Sequence, residues 1–248
     1  MTDSNGRMKA AAIDRFGRPS VLKLHALPRP EPGANEVLIK LHAAGVGVWD
    51  ADIRKGWWPG GRPKLPLVIG VDGAGTIAAK GARVRRFEIG ERVWAYEFIN
   101  PKGGFYAEYI AVNAGRVGRI PRRLDLIRAG AAAVTALTAM QGISDVLRLR
   151  RGETVLIFGA TGAVGTMAIQ FARGRGARVI ATATGRKARQ LVLSLGAEEA
   201  FDARAGDAVE RLRELAPDGL DAAFALAGGR NLDRCLDVMK RGGRVVHP

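Results

Sequence analysis

The stretch VLIFGATGAVGTMAIQFARGRGARVIATATG, residues 155–185, limits what this chain can fold into more than any other segment. An apolar run stops at Gly159, Gly162 and Gly165 follow at intervals of three, and a second apolar run ends in Thr, Gly, Arg and Lys. A glycine in a strand-to-helix turn lets a bound group come close to the backbone, and the last one lets helix and strand pack tightly. The helix start then offers free N–H groups and a positive dipole end to a diphosphate. The turn alone is a weak signal. The second strand and the further strand–helix units after it give the turn its meaning as a dinucleotide cradle, made by Gly159, Ala160, Thr161, Gly162, Ala163, Val164 and Gly165.

The end of the second apolar run addresses which dinucleotide. A carboxylate there would accept hydrogen bonds from the ribose 2′-hydroxyl of NAD. This chain has Ala183, then Thr184, Gly185, Arg186, Lys187 and, a turn later, Arg189. Cations with hydroxyl and backbone donors suit the 2′-phosphate of NADP. The other reading is that these cations cover the start of a solvated helix. Arginine at a helix N-terminus opposes the dipole, which favours an anion nearby.

The chain has two rhythms. Up to about Pro121, short runs such as EVLIKLHAAGV, GAGTIAAK and ERVWAY are punctuated by PRPEPGAN, WWPGGRPKLP and NPKGG, the pattern of a small barrel-like β domain. From Leu124 an Ala- and Leu-rich helix leads into alternating apolar strands and amphipathic helices, which implies a parallel sheet covered on both faces. The expected domains are therefore residues 1–123 and 124–248. With 248 residues, 47% of them hydrophobic and 25% charged, the composition is that of a globular protein. The one cysteine, Cys235, excludes an internal disulfide and a Cys-rich zinc cluster. No run of roughly eighteen apolar residues is free of charge, so no membrane span is expected. The N-terminal MTDSNGRMKA lacks the apolar core of a secretory signal, which points to the cytoplasm. The net charge is +15, but the basic residues are scattered and carry no stacking motif, so nucleic acid is not the expected partner.

The segments MKAAAIDRFGRPSVLKL, GANEVLIKLHAAGVGVWDADIRKG, LPLVIGVDGAGTI, GERVWA, GGFYAEYIAV, GATGAVGTMAIQFAR and GGRVV, in that order, resemble the medium-chain dehydrogenase/reductase superfamily, in its zinc-independent quinone oxidoreductase branch. The resemblance covers nearly everything after Met8. It implies an α/β protein: an N-terminal GroES-like β domain followed by a Rossmann doubly wound parallel sheet, with a nicotinamide between the two. It also implies Thr138 beside the nicotinamide and the turn Leu226, Ala227 and Gly228 along its ribose; with the cations after the second strand, NADP(H) is the expected cofactor. Where zinc alcohol dehydrogenases of the superfamily carry a Cys, a His-Glu pair and a further Cys or Asp, this chain has Gly47, Val71–Asp72 and Val134. Glycine and valine cannot ligate zinc, and no metal is expected.

Relatives often carry an Asn and a Tyr on the substrate side, and both are missing here. Gly47, Trp49, Asp52 and Trp58 are the expected substrate-cleft residues. Trp49, Trp57 and Trp58 either stack on a flat ring or serve as core or lid. Asp50 reads as a structural acceptor rather than a base, and no catalytic acid is assigned. Family members continue past the GGRVV strand, so the chain reads as C-terminally truncated, a fragment in preference to a shortened relative. When full length, it is expected to form a homodimer. The expected reaction is NADPH-dependent reduction of a quinone or other small conjugated acceptor. The alternatives are a 2-enoyl thioester reductase and a catalytically weak NADPH-binding protein.

Overall fold

The computed structural model describes residues 6–58 and 60–248. Residues 1–5, part of the N-terminal stretch read above for a targeting signal, and Pro59 lie outside them. The chain divides into two compact units, Met1–Val134 and Thr135–Pro248.

The first unit is built on two antiparallel sheets. In one, β1 (Arg7–Ile13) pairs along its length with β2 (Leu22–Pro28), and its other edge takes the two-residue β4 (Leu67–Val68). Between these come β3 (Glu36–Ala44) and α1 (Val48–Lys55). The second sheet runs β7 (Tyr109–Asn113), β3, β5 (Asp72–Lys80), β6 (Arg92–Tyr96) and β8 (Val117–Arg119) in that spatial order. Val37, Ile39, Ile77, Phe87, Val93, Phe105 and Ile110 fill its core, each contributing about 1.5–3 kcal/mol relative to exposure. Glycine in β5 is what lets β3 lie so close: a Cβ on Gly75 would sit 2.0 Å from the Lys40 carbonyl oxygen.

The short helix α1 is specified at both ends. The Gly47 N–H donates to the Asp50 carboxylate at 2.7 Å, so a side chain three residues on satisfies the helix start. Gly56, with φ of +119°, closes the far end in the left-handed conformation.

Helix α2 (Leu126–Gln141) continues through a π turn, Gly142–Val146. Together they are long and apolar enough to cross a membrane by length and composition, although Arg128 and Asp145 interrupt them. Part of the apolar surface packs inside, Ala129 in the first unit and Ala139 and Ile143 in the second, while Ile127, Leu137, Met140 and Val146 are exposed. Glycine at 142 is needed because a Cβ there would meet the Phe224 ring at 2.5 Å.

The second unit is a five-stranded parallel sheet in the order β11 (Glu199–Phe201), β10 (Arg178–Thr182), β9 (Thr154–Phe158), β12 (Leu220–Ala225), β13 (Met239–Val246). Alternate residues of one strand serve opposite faces. Val155 and Ile157 join the cluster that holds Ala168, Ile169 and Ala172 of α3 (Ala163–Gly174), and Val192 of α4 (Arg186–Leu195). Leu156 and Phe158 join the cluster that holds Val209 and Leu212 of α5 (Ala208–Leu215), and Leu232 and Cys235 of α6 (Arg230–Leu236). Burial on both faces is why these strands read as unbroken apolar runs. The Cys235 thiol is 1% exposed, and burial pushes its pKa up to about 11.

Candidate functional site

The strand order reverses direction between β9 and β12, and in open parallel sheets the crevice at such a switch point is where ligands settle. A cleft of about 700 Å³ opens there, within the second unit. It is lined by Phe158, Gly159 and Thr161 after β9, Thr182, Ala183 and Thr184 after β10, Asp202, Ala203 and Arg204 after β11, and Ala227 to Asn231 after β12. Gly159 has φ of +80°, and its N–H donates to the Thr182 hydroxyl at 2.8 Å, fixing the turn to the neighbouring strand. The Leu226 N–H donates to the Phe158 carbonyl at 2.9 Å, which ties the ends of β12 and β9.

The glycines of the turn differ in what they make possible. A Cβ on Gly165 would lie 2.6–2.7 Å from the Ala160 backbone, so this glycine is required by the packing of α3 on its own turn. A Cβ on Gly162 would meet only the Gly159 carbonyl oxygen at 3.6 Å, ordinary contact, and φ there is −73°. Nothing in the fold demands glycine at 162. The empty space beside it, at the helix start whose first N–H groups lack helical partners, fits a diphosphate backbone.

The sequence-predicted residues take distinct places. Gly159, Thr161, Thr184, Ala227 and Gly228 line the cleft. Ala160 and Gly165 are buried beneath the turn, Ala163 is exposed at the helix start, and Val164 and Leu226 pack on the adjoining core. Arg186 and Lys187 open α4 directly after Gly185, both side chains exposed and bonded to no other described residue. Arg189 donates to the Ala200 carbonyl at 2.7 Å and so ties α4 to β11. Thr138 is half-buried on α2. Asp202, Arg204 and Arg230 were missed. For Asp202 and Arg204 the signal was present: the third strand of such a sheet neighbours the second, so the loop after EAF lines the same crevice.

In the first unit, Gly47 caps α1, and Trp49 and Trp58 pack on one cluster with Ile13, Ile53, Leu67 and Ile69. The Trp49 indole N–H is buried without a partner among the described residues. Trp57 is 55% exposed and meets the Phe98 ring edge-on at 5.6 Å. Asp52 is exposed and lies 3.6 Å from the Lys55 ammonium, an i,i+3 pair.

A buried acid cluster lies alongside these residues. Asp50 is 4% exposed and accepts from the Tyr106 hydroxyl at 3.0 Å as well as from Gly47. Asp72 is 3% exposed and accepts from the Val134 N–H at 3.0 Å. Burial pushes the Asp72 carboxyl up to about 6; the Val134 N–H pulls it down and the nearby Asp50 charge pushes it further up. Asp50 is likewise raised by burial, against the pull of its donors. Burial and the adjacent Asp50 raise the Tyr106 phenol well above its ordinary value.

Two family models match this chain: the alcohol dehydrogenase GroES-like domain over residues 33–122, and the zinc-binding dehydrogenase domain over residues 163–247. A quinone oxidoreductase from Rattus norvegicus is 34% identical over 241 residues, covering 96% of this chain and 72% of the relative. The chain belongs to the medium-chain dehydrogenase/reductase superfamily, in its quinone oxidoreductase branch. Among solved structures, mycobacterial Rv1454c complexed with NADPH matches with a TM-score of 0.79 and 32% identity, covering 94% of this chain and 71% of that one. The CurK enoyl reductase matches with a TM-score of 0.85 and 26% identity, covering 96% and 73%. The first unit is the superfamily's GroES-like domain and the second its Rossmann domain, and the protein is an oxidoreductase of the kind that takes a nicotinamide cofactor.

At the superfamily's catalytic-metal positions the geometry brings Asp72 and Val134 together, with Asp50 reaching back to Gly47. One carboxylate with a glycine and two valines is not a zinc donor set. Among the described residues, no three His, Cys, Asp or Glu side chains gather as ligands.

Proposed function

We propose that this protein is a reductase that uses NADPH to reduce a quinone or another conjugated carbonyl without a metal. The observation that carries the reading is the switch-point cleft. Its glycine turn leaves open space at Gly162, and two exposed cations, Arg186 and Lys187, unpaired among the described residues, follow the adjacent strand. The space at Gly162 fits a diphosphate, and Thr184, Arg186 and Lys187 supply donors and charge for a 2′-phosphate. The relative named a quinone oxidoreductase and the mycobacterial neighbour complexed with NADPH support the same assignment. The nicotinamide, when bound, supplies the hydride.

The residues at the metal positions offer no Lewis acid to stabilise a localised alkoxide, so acceptors that spread the incoming charge through a ring or conjugated system are favoured. The Trp49 and Trp58 rings pack on the core of the first unit and are only partly buried, so a flat acceptor would stack on whatever ring surface that packing leaves. The likeness to an enoyl reductase keeps a second reading, reduction of a 2-enoyl thioester.

The test is NADPH oxidation with a benzoquinone, an enone, an enoyl thioester and a simple aldehyde, alongside alcohol oxidation with NADP, each with and without a chelator. Fast quinone reduction that ignores the chelator is the expected result. Preference for the thioester selects the second reading, and chelator-sensitive alcohol oxidation overturns both.

A further inference from the structure

In sites built for NAD, the ribose-reading carboxylate stands at the end of the second strand. Here that strand, β10, ends at Thr182 and is followed by Ala183 and Thr184, with no acid. Its neighbour β11 provides one. Thr182 lies opposite Phe201 in the parallel register, and the Ala183 N–H donates to the Phe201 carbonyl at 2.9 Å. The next residue on β11's side, Asp202, is thereby brought level with the β10 loop. The Thr184 hydroxyl donates to Asp202 Oδ1 at 3.0 Å, the Arg204 N–H donates to the same oxygen at 3.0 Å, and the Arg204 Nε lies 3.9 Å from it. Thr184, Asp202 and Arg204 all line the cleft.

We infer that Asp202, held in register by β11, replaces the carboxylate missing from β10 and sets how far this protein separates NADPH from NADH. The inference rests on the reading that the cleft holds a dinucleotide. With NADH, Asp202 accepts from the ribose hydroxyl. With NADPH, the same carboxylate repels the 2′-phosphate and competes with it for Thr184 and Arg204, two donors that would act beside Arg186 and Lys187. Arg186 and Lys187 pull toward NADPH and Asp202 pulls back, so the wild-type preference is limited by a side chain from a third strand.

The experiment is titration of the full chain with NADPH and NADH, with 2′-AMP and 5′-AMP as competitors that differ in where the phosphate sits. Asp202→Asn removes the charge but keeps an acceptor for Arg204, and raises the NADPH:NADH affinity ratio by about tenfold, with a parallel gain for 2′-AMP over 5′-AMP. Arg204→Gln lowers NADPH affinity severalfold and leaves NADH unchanged. Asp202→Ser, a smaller neutral side chain that still accepts a hydrogen bond, raises the ratio in the same direction and decides the matter if Asp202→Asn does not fold. A ratio that stays within twofold of wild type in Asp202→Asn overturns the inference while leaving the cleft's role standing. Failure of the wild-type protein to bind either dinucleotide overturns both.

Discussion

The switch-point cleft and the buried acid cluster are built from opposite materials. The cleft is framed by backbone elements that follow one another in the chain: a glycine turn, the ends of four parallel strands and the helix starts beside them. The acid cluster is made of side chains, Asp50, Asp72 and Tyr106, drawn from a helix, a strand and a loop and buried against each other. A site made of backbone leaves a mark in local spacing, because only glycine permits it. A site made of buried side chains distant in sequence leaves none, because each residue taken alone reads as ordinary.

The sharpest break of this comparison lies inside the turn itself. Gly165→Val drives a branched side chain into the Ala160 backbone and costs about 3 kcal/mol or more of stability, measured by urea denaturation. Gly162→Val leaves stability near wild type but weakens dinucleotide binding by about a hundredfold or more, roughly 3 kcal/mol, measured by fluorescence titration. If both variants lose stability equally, the space beside Gly162 is not reserved for a ligand.

In the acid cluster the expected effect is on stability against pH. Asp72 has its folded-state pKa raised from 3.8 to about 6, so the folded state holds the proton more tightly than the unfolded one. This group's contribution is therefore fully present below about pH 4 and is lost as pH rises through 6, about 3 kcal/mol in all. Asp72→Asn removes that loss. Stability at pH 7 should rise by about 2–3 kcal/mol, and its fall between pH 4 and 6 should flatten. A pH profile identical to wild type would show that the carboxyl is not strained by its burial.

The smallest effect belongs to the solvent-facing cations. Replacing Arg186 and Lys187 together with Ala should weaken NADPH binding by about 1–2 kcal/mol, roughly tenfold, and leave NADH unchanged. Equal loss of both cofactors would place the 2′-phosphate elsewhere.

Much of the fold was legible because burial on both faces wrote itself into the sequence: VLIF (155–158) and VIA (179–181) are apolar at every position, and the helices between them are not. The punctuated β-rich rhythm of the first unit was legible for the converse reason, since its strands are short and bounded by Pro and Gly. Thr184 and the cleft glycines could be found because strand, turn and helix follow one another in the chain. Asp202 and Arg204 could not be found by reading along β10, since β11 brings them alongside through sheet register and not through sequence. Tyr106 stands 56 residues from its partner Asp50, and no periodicity links them.

The cysteine on the buried face of α6 bears on how such a chain meets electrophiles. Quinones and enones are electrophiles that alkylate thiolates. The sequence contains one thiol, 1% exposed, with a pKa pushed up to about 11, so at pH 8 roughly one molecule in a thousand carries a thiolate, and that one is sheltered. The thiol is thereby sheltered from a quinone acceptor of the kind proposed above. Intact-mass measurement after incubation with benzoquinone should find the native chain without a thiol adduct, and a single thiol adduct once urea opens the fold.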